Sequence, residues 1–437
     1  MSKKLHLVSL GCTKNLVDSE VMLGRLRDYE VIDDSSIADV IIVNTCGFIE
    51  AAKEESINTV LSLHEDRKEN SILVMSGCLT ERYKAELQEQ MPEIDIFTGV
   101  GDYEKIDSLI QNKQSTFSPE VYLANEESNR VITGSNYHAY IKIAEGCNQQ
   151  CSFCAIPSFK GKLHSRTLIS IKKEVESLVS QGFNDFSFIS QDSSSFGRDI
   201  ELSDGLIDLI QIIETVDGVN SARILYLYPS TTTFKLIDTI SDSKIFQTYY
   251  DMPIQHIDNS VLKSMKRGFG EKKTIELLDY MKQKPNAFIR TSVIAGHPNE
   301  TDEQFNRLYN FMKYFEFDRF NTFNYSNEET TTAFNMPQID NTIINKRADI
   351  LGEIAEISTQ ASLEKMIGNT INLVIDGESD EHEYLLSARP LNWAVEIDGE
   401  ILINDTSDLA ITYGKRYSAK ITTLVGNRLL ATLIKEL

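Results

Sequence analysis

Nine short apolar runs rich in β-formers, interleaved with helix-patterned stretches, set the tightest limit on how this chain folds. The first three, residues 5–10, 40–43 and 72–75, precede helical patterns at 15–27, 48–64 and 80–90. Strand–helix–strand repetition implies right-handed crossovers and a parallel sheet, so the chain opens with a parallel α/β domain. Six further runs, at 139–144, 186–190, 223–228, 249–253, 288–294 and 320–325, alternate with helical patterns such as 169–181 and 274–284. Six βα units predict a full or partial barrel, with its site at the C-terminal strand ends. The polar stretch 111–135 reads as a linker or surface excursion. Residues 341–367 read as a helix with Ile350, Leu351, Ile354 and Ile357 on one face.

The last 70 or so residues change character. Strands are expected at 371–376, 384–389, 395–398, 401–404, 416–425 and 429–434, with Asp398-Gly399 and Gly426-Asn427 as hairpin turns. They predict a small all-β barrel of the oligonucleotide-binding type. The fold class is therefore α/β multidomain, divided at 1–118, 133–362 and 365–437. A length of 437 residues suits about three domains at roughly 150 residues each.

Six cysteines carry the chemistry. Cys147-Asn-Gln-Gln-Cys151-Ser-Phe-Cys154 has the spacing Cx3Cx2C just after the first barrel strand. Three thiolates on one short loop can hold three irons of a [4Fe–4S] cluster and leave the fourth iron without a protein ligand. Such an iron can chelate S-adenosylmethionine and pass an electron to its sulfonium, releasing a 5′-deoxyadenosyl radical. Zinc is the alternative, but it wants a fourth ligand, and the nearest candidate, His164, lies ten residues on. Buried structural thiols are the other alternative.

Cys12, Cys46 and Cys78 are scattered in sequence but equivalent in topology, each at the carboxyl end of a predicted parallel strand leading into a helix. Those ends share the sheet edge where α/β folds bind ligands. Helix N-termini there favour thiolate over thiol. The arrangement predicts a second three-cysteine [4Fe–4S] cluster, able to deliver sulfur to a carbon radical.

The first motif, with Phe153 before its last cysteine, resembles the radical S-adenosylmethionine superfamily. The resemblance implies a partial (βα)6 barrel and cofactor contacts from later strand ends, which fall here on Phe153, Gln191, Asp192, Gln255 and Gly296. His256 and His297 take no role. Both cysteine sets together make the whole chain similar to the methylthiotransferase family. That resemblance implies an N-terminal cluster domain, a radical barrel and a C-terminal TRAM domain, with two [4Fe–4S] clusters held by all six cysteines and S-adenosylmethionine as cosubstrate. It also implies that a C–H bond becomes C–S–CH3, using two S-adenosylmethionine molecules. No catalytic side chain is assigned beyond the clusters.

Two branches of that family act on a tRNA adenosine or on the β-carbon of an aspartate in a small-subunit ribosomal protein. The segments Ser9 to Glu20, Glu145-Gly146-Cys147 and Ala155 to Lys162 resemble the ribosomal-protein branch. Lys160, where arginine is usual, and the turn Gly296-His297-Pro298-Asn299-Glu300-Thr301 depart from its pattern. Charge points the same way. The chain carries a net −22, and residues 364–437 hold twelve acids against seven bases. Oligonucleotide-binding modules usually offer a basic groove. An acidic one, with Glu378, Asp380, Glu381 and Glu383 in one run, repels tRNA and attracts a lysine- and arginine-rich protein, unless the run is only a solvated face.

The expected partners are therefore that ribosomal protein or the assembled small subunit, an electron donor and a sulfur source. Direct nucleic-acid binding is not expected to dominate. No apolar run approaches the roughly 18 residues of a membrane helix, and the start does not read as a secretory signal, so the expected location is cytoplasmic. The rivals are a non-catalytic iron–sulfur or RNA-binding scaffold and a zinc-binding regulator.

Overall fold

The structure, a computed structural model, describes residues 2–437. Strands β1 (Lys4–Ser9), β2 (Glu30–Val31), β3 (Val40–Thr45), β4 (Ile72–Gly77) and β5 (Ile96–Thr98) form a parallel sheet ordered β2-β1-β3-β4-β5. Its three central strands lead into α1 (Thr13–Arg25), α2 (Glu50–Asp66) and α3 (Cys78–Arg82). The helix expected over 80–90 is broken at Tyr83, whose φ of −124° and ψ of 33° leave the helical region; a second piece runs Lys84–Gln90.

The stretch read as a linker has little regular structure, yet it is a strap. Arg130, buried, pairs with Glu20 of α1 at 2.7 Å and with Glu174 of helix Leu168–Ser180 at 2.8 Å. It thereby clamps the first domain to the second.

The second domain holds β6 (His138–Lys142), the short antiparallel pair β7 (Ala144–Glu145) and β8 (His164–Ser165), and then β9 (Asp185–Ile189), β10 (Ser221–Ile224), β11 (Tyr249–Asp251), β12 (Phe288–Ala295) and β13 (Arg319–Asn324). Parallel triplets β6-β9-β10 and β11-β12-β13 join through an Ala222–Phe246 bridge and the Leu227 N–H, which donates to the Asp251 carbonyl at 2.8 Å. The result is an open six-stranded barrel. β10 ends earlier than expected because Tyr226 takes a φ of 64°.

Outside β12 and β13 lies helix Asn341–Glu364, which buries Leu351 and Ile354. Ile357 does not join them and is 63% exposed. At 100° per residue it points well away from Leu351, and Ser358 takes the inward place, donating to the Phe317 carbonyl at 2.5 Å.

The last domain is a closed barrel of β14 (Thr370–Glu378), β15 (Leu386–Pro390), β16 (Ile401–Asp405), β17 (Arg416–Val425) and β18 (Arg428–Glu436), ordered β14-β15-β16-β18-β17. Gly426-Asn427 makes the β17–β18 hairpin as expected. The strand expected at 395–398 is instead a turn. The Asp398 carboxylate accepts the Ala394 N–H at 2.7 Å and closes that turn, so Asp398-Gly399 forms no tight two-residue hairpin turn and lies instead in the long loop between the antiparallel β15 and β16. This barrel caps the N-terminal ends of the central strands. Trp393 is buried at the junction, and Arg389 reaches Asp185 at the start of β9 at 2.5 Å.

Candidate functional site

Three strand ends meet where Cys12, Cys46 and Cys78 lie. Gly11 has a φ of +88°, and a Cβ there would fall 2.7 Å from the Cys46 Cβ. A Cβ on Gly47 would meet the Leu79 Cα at 2.7 Å and the Cys78 carbonyl at 2.9 Å. Each loop thus presses on the next with no room for a side chain. Asn15 knits the three together. Its amide donates to the Leu10 and Thr45 carbonyls at 3.0 and 3.1 Å, and its carbonyl accepts the Cys78 thiol at 3.6 Å.

The second triad sits on the loop after β7. The Cys147 N–H donates to the Gly161 carbonyl and the Cys154 N–H to the Cys151 carbonyl, both at 3.1 Å. Ser152 anchors the loop from behind, its N–H donating to the Met265 carbonyl at 3.0 Å and its hydroxyl lying 3.1 Å from His297 Nε2. Cys151 faces Tyr228 Oη at 3.4 Å and is approached at 3.5 Å by the Arg267 guanidinium.

All six cysteines line one cavity of about 430 Å³ at the C-terminal strand ends, where the first domain lies over the open barrel. Burial pushes the Cys46 thiol up to about 11 and those of Cys147 and Cys154 up to about 12. Cys78 is raised further by burial, although the Lys160 ammonium pulls it the other way. The thiolate bias expected from helix N-termini is therefore outweighed by desolvation: α3 is a single short turn, and its first residue is Cys78, deep in the protein. A bound metal centre supplies the charge that deprotonates such thiols. Among the described residues no three His, Cys, Asp or Glu side chains converge closely enough for a single ion. Three cysteine donors in each triad match the thiolate ligation of iron–sulfur clusters, so each triad fits a cluster in its donor chemistry.

Of the residues expected to contact S-adenosylmethionine, Phe153, Gln191 and Gln255 line the cavity. Gln255 holds a φ of 69°, and Tyr226, also in the wall, one of 64°; two non-glycine residues in this region of backbone space mark a constrained site. Asp192 lies behind the wall, accepting from Gln149 Nε2 at 2.8 Å and Ser195 Oγ at 2.6 Å. Gly296 lies behind it too, at a φ of +83° and packed so tightly that a Cβ would sit 2.5 Å from Ile344. His297 is held by burial near 4, well below its ordinary value, and His256 is lowered further to about 3.

Sequence reasoning assigned no role to Lys14, Tyr226, Tyr228, Arg267 or Arg290, all in the cavity wall. Tyr226, Tyr228 and Arg267 lie in loops, which was their only signal; Lys14, in the first turn of α1, and Arg290, within β12, carried none. Lys160, noted only as a departure from pattern, is buried and joined to Asp18 of α1 and Glu145 of β7 at 3.4 and 3.3 Å. Lys142 binds the same two carboxylates, so this network ties the two domains together beneath the cavity.

Three family models match the chain in order. One described as Uncharacterized protein family UPF0004 covers residues 4–99, Radical SAM superfamily covers 141–312 and TRAM domain covers 367–434. The ribosomal protein uS12 methylthiotransferase RimO of Sulfurovum sp. (strain NBC37-1) is 79% identical over 434 residues, 99% of each chain. Its namesake from Aliarcobacter butzleri (strain RM4018) is 62% identical over 99% of this chain and 98% of its own. A solved radical S-adenosylmethionine methyltransferase, TsrM from Kitasatospora setae, shares the fold at a TM-score of 0.55 and 14% identity, covering 74% of this chain and 73% of that one.

Proposed function

The chain belongs to the RimO family of ribosomal protein uS12 methylthiotransferases, and we propose that it converts a β C–H bond of an aspartate in that small-subunit protein to C–S–CH3. The observation that carries this reading is the convergence of both cysteine triads on one cavity. Bound there, a [4Fe–4S] cluster with an open iron supplies reductive cleavage of S-adenosylmethionine to a hydrogen-abstracting radical, and a second cluster supplies the methylthio sulfur. Cys147, Cys151 and Cys154 hold the first; Cys12, Cys46 and Cys78 hold the second. Phe153, Gln191 and Gln255 line the space for S-adenosylmethionine, while Asp192 and Gly296 shape the loops around it. Arg130 and the Lys142–Asp18–Glu145–Lys160 network hold the two domains against one another. We take 1–118, 133–362 and 365–437 as the three domains.

The C-terminal barrel supports a basic protein partner. Glu378, Asp380, Glu381, Glu383 and Glu396 are exposed. Some of its acids are already committed: Asp398 is buried, and Arg428 holds Glu381 and Glu400 at 2.8 and 3.1 Å. Because this barrel sits at the far end of the central strands from the cavity, its charge attracts the ribosomal protein or assembled subunit without lining the reaction chamber. The tRNA-adenosine reading is not favoured. An external electron donor and sulfur source complete the turnover. Among the described residues no helix is long and apolar enough to cross a membrane. The proposed ribosomal substrate supports a cytoplasmic location.

The test is anaerobic turnover of the reconstituted enzyme with S-adenosylmethionine and reductant, offering small ribosomal subunits in one tube and unmodified tRNA in another. A methylthio mass increase on a uS12 aspartate is expected; the increase on tRNA instead overturns the substrate. Cys151→Ala is expected to abolish 5′-deoxyadenosine. Cys46→Ala is expected to stop methylthiolation while deoxyadenosine still forms. Methylthiolated product from Cys46→Ala defeats the two-cluster reading.

A further inference from the structure

Among the described residues four cations line the cavity, and three are committed within the protein. Lys160 bonds Asp18 and Glu145 at 3.4 and 3.3 Å, Arg290 bonds Asp251 at 2.9 Å, and Arg267 donates to the Pro253 carbonyl and approaches Cys151. Lys14 is the exception. Its side chain is buried, and its ammonium lies over the Tyr226 ring at 3.4 Å, with no hydrogen bond or ion pair to any carboxylate among the described residues. The carboxylates on this side of the barrel are already taken, Glu145 by Lys142 at 2.8 Å and Asp251 by Arg290. A buried ammonium touching only a ring face keeps N–H donors to spare, and a desolvated cation calls for an anion.

We infer that Lys14 binds the side-chain carboxylate of the substrate aspartate, which makes it the residue that selects that side chain. The inference rests on the proposed uS12 reaction. Lys14 stands two residues after Cys12 on the first domain, and its ring partner Tyr226 follows β10 on the barrel, so its ammonium lies at the seam between the two cysteine triads. The carbon to be functionalised is bonded directly to the carboxyl carbon. A cation gripping that carboxylate therefore holds an oxygen two bonds from the reacting carbon and fixes the C–H close to a protein anchor.

The measurement is kcat/KM of the reconstituted enzyme on uS12 and on uS12 with asparagine at the modified position, for the unaltered chain, Lys14→Met, Lys14→Gln and Lys14→Arg. The unaltered chain is expected to prefer aspartate by about ten- to hundred-fold, the range of one charge-assisted hydrogen-bonded contact. Lys14→Met and Lys14→Gln are expected to lose most of that preference through a raised KM for the aspartate substrate, and Lys14→Arg to keep part of it. The ratio is taken within one enzyme, so it does not depend on what fraction of a preparation is folded or carries its clusters. An equal loss on both substrates, as follows if Lys14 only offsets the charge of neighbouring thiolates, overturns the inference. So does an undiminished preference in Lys14→Met. Failure of the unaltered chain to modify uS12 at all overturns the functional reading beneath it.

Discussion

The two ends of the central barrel bury cations in opposite ways. At the N-terminal strand ends Arg223 and Arg389, 0% and 1% exposed, share the Asp185 carboxylate at 2.9 and 2.5 Å. Burial opposes ionisation of Asp185, but the two guanidiniums overcome it and hold its carboxyl well below the usual range. Arg223 also donates to Ser187 Oγ and to the Leu391 carbonyl of the C-terminal domain, so the cluster closes that end and docks a barrel onto it. At the opposite end Lys14 is buried beside an aromatic ring and has no carboxylate. A desolvated charge with its partners in place is a structural joint, whereas one facing a cavity without them awaits a ligand.

That contrast can be broken at several points. Asp185→Ala strands the buried Arg223 guanidinium and leaves Arg389 with Asp376 alone, and it is expected to cost about 3–5 kcal/mol, seen as a lowered thermal midpoint. A midpoint unchanged by this substitution would equate the two ends. Next comes acid sensitivity at the domain joint. Burial opposes ionisation of Glu145, but Lys142 and Lys160 hold it down at about 2, below its ordinary 4.5. A depressed carboxylate stabilises fully above its unfolded value, and that contribution is lost as pH falls from about 4.5 through 2. Across this window the thermal midpoint is expected to fall with pH in the intact chain and to depend less on pH in Glu145→Gln. Lys14→Met removes a cation without stranding a partner, so its cost is expected to stay below about 1 kcal/mol in the same melts, however large its effect on substrate choice. The smallest effect belongs to Ile357→Ser on the exposed side of its helix, within about 0.5 kcal/mol.

Much of the fold was legible because its signals are local. Alternating strand and helix patterns placed eight of the nine expected parallel strands to within a residue or two, but missed the short edge strands β2 and β5, whose two and three residues carry too little pattern; Gly426-Asn427 located the last hairpin. β10 was misread past Ile224 because nothing in the residues 223–228 betrays the positive φ of Tyr226. The turn around Asp398 was misread because an aspartate before a glycine looks the same whether it turns a hairpin or caps a loop.

The sequence by itself determined the contiguous triad, since Cx3Cx2C brings three thiols together through the covalent geometry of eight residues. It also determined that Cys12, Cys46 and Cys78 share a sheet edge, because parallel crossovers leave successive strand ends side by side. Only the tertiary structure decided that the two triads open into one cavity. That depends on how the first domain lies over the open barrel, and the lock is long-range: Arg130 with Glu20 and Glu174, and Lys142 with Asp18. The pairing of Lys14 with Tyr226 follows from the same docking. Neither residue carries a local pattern that names the other, because their contact is made by packing between domains and not by spacing along the chain.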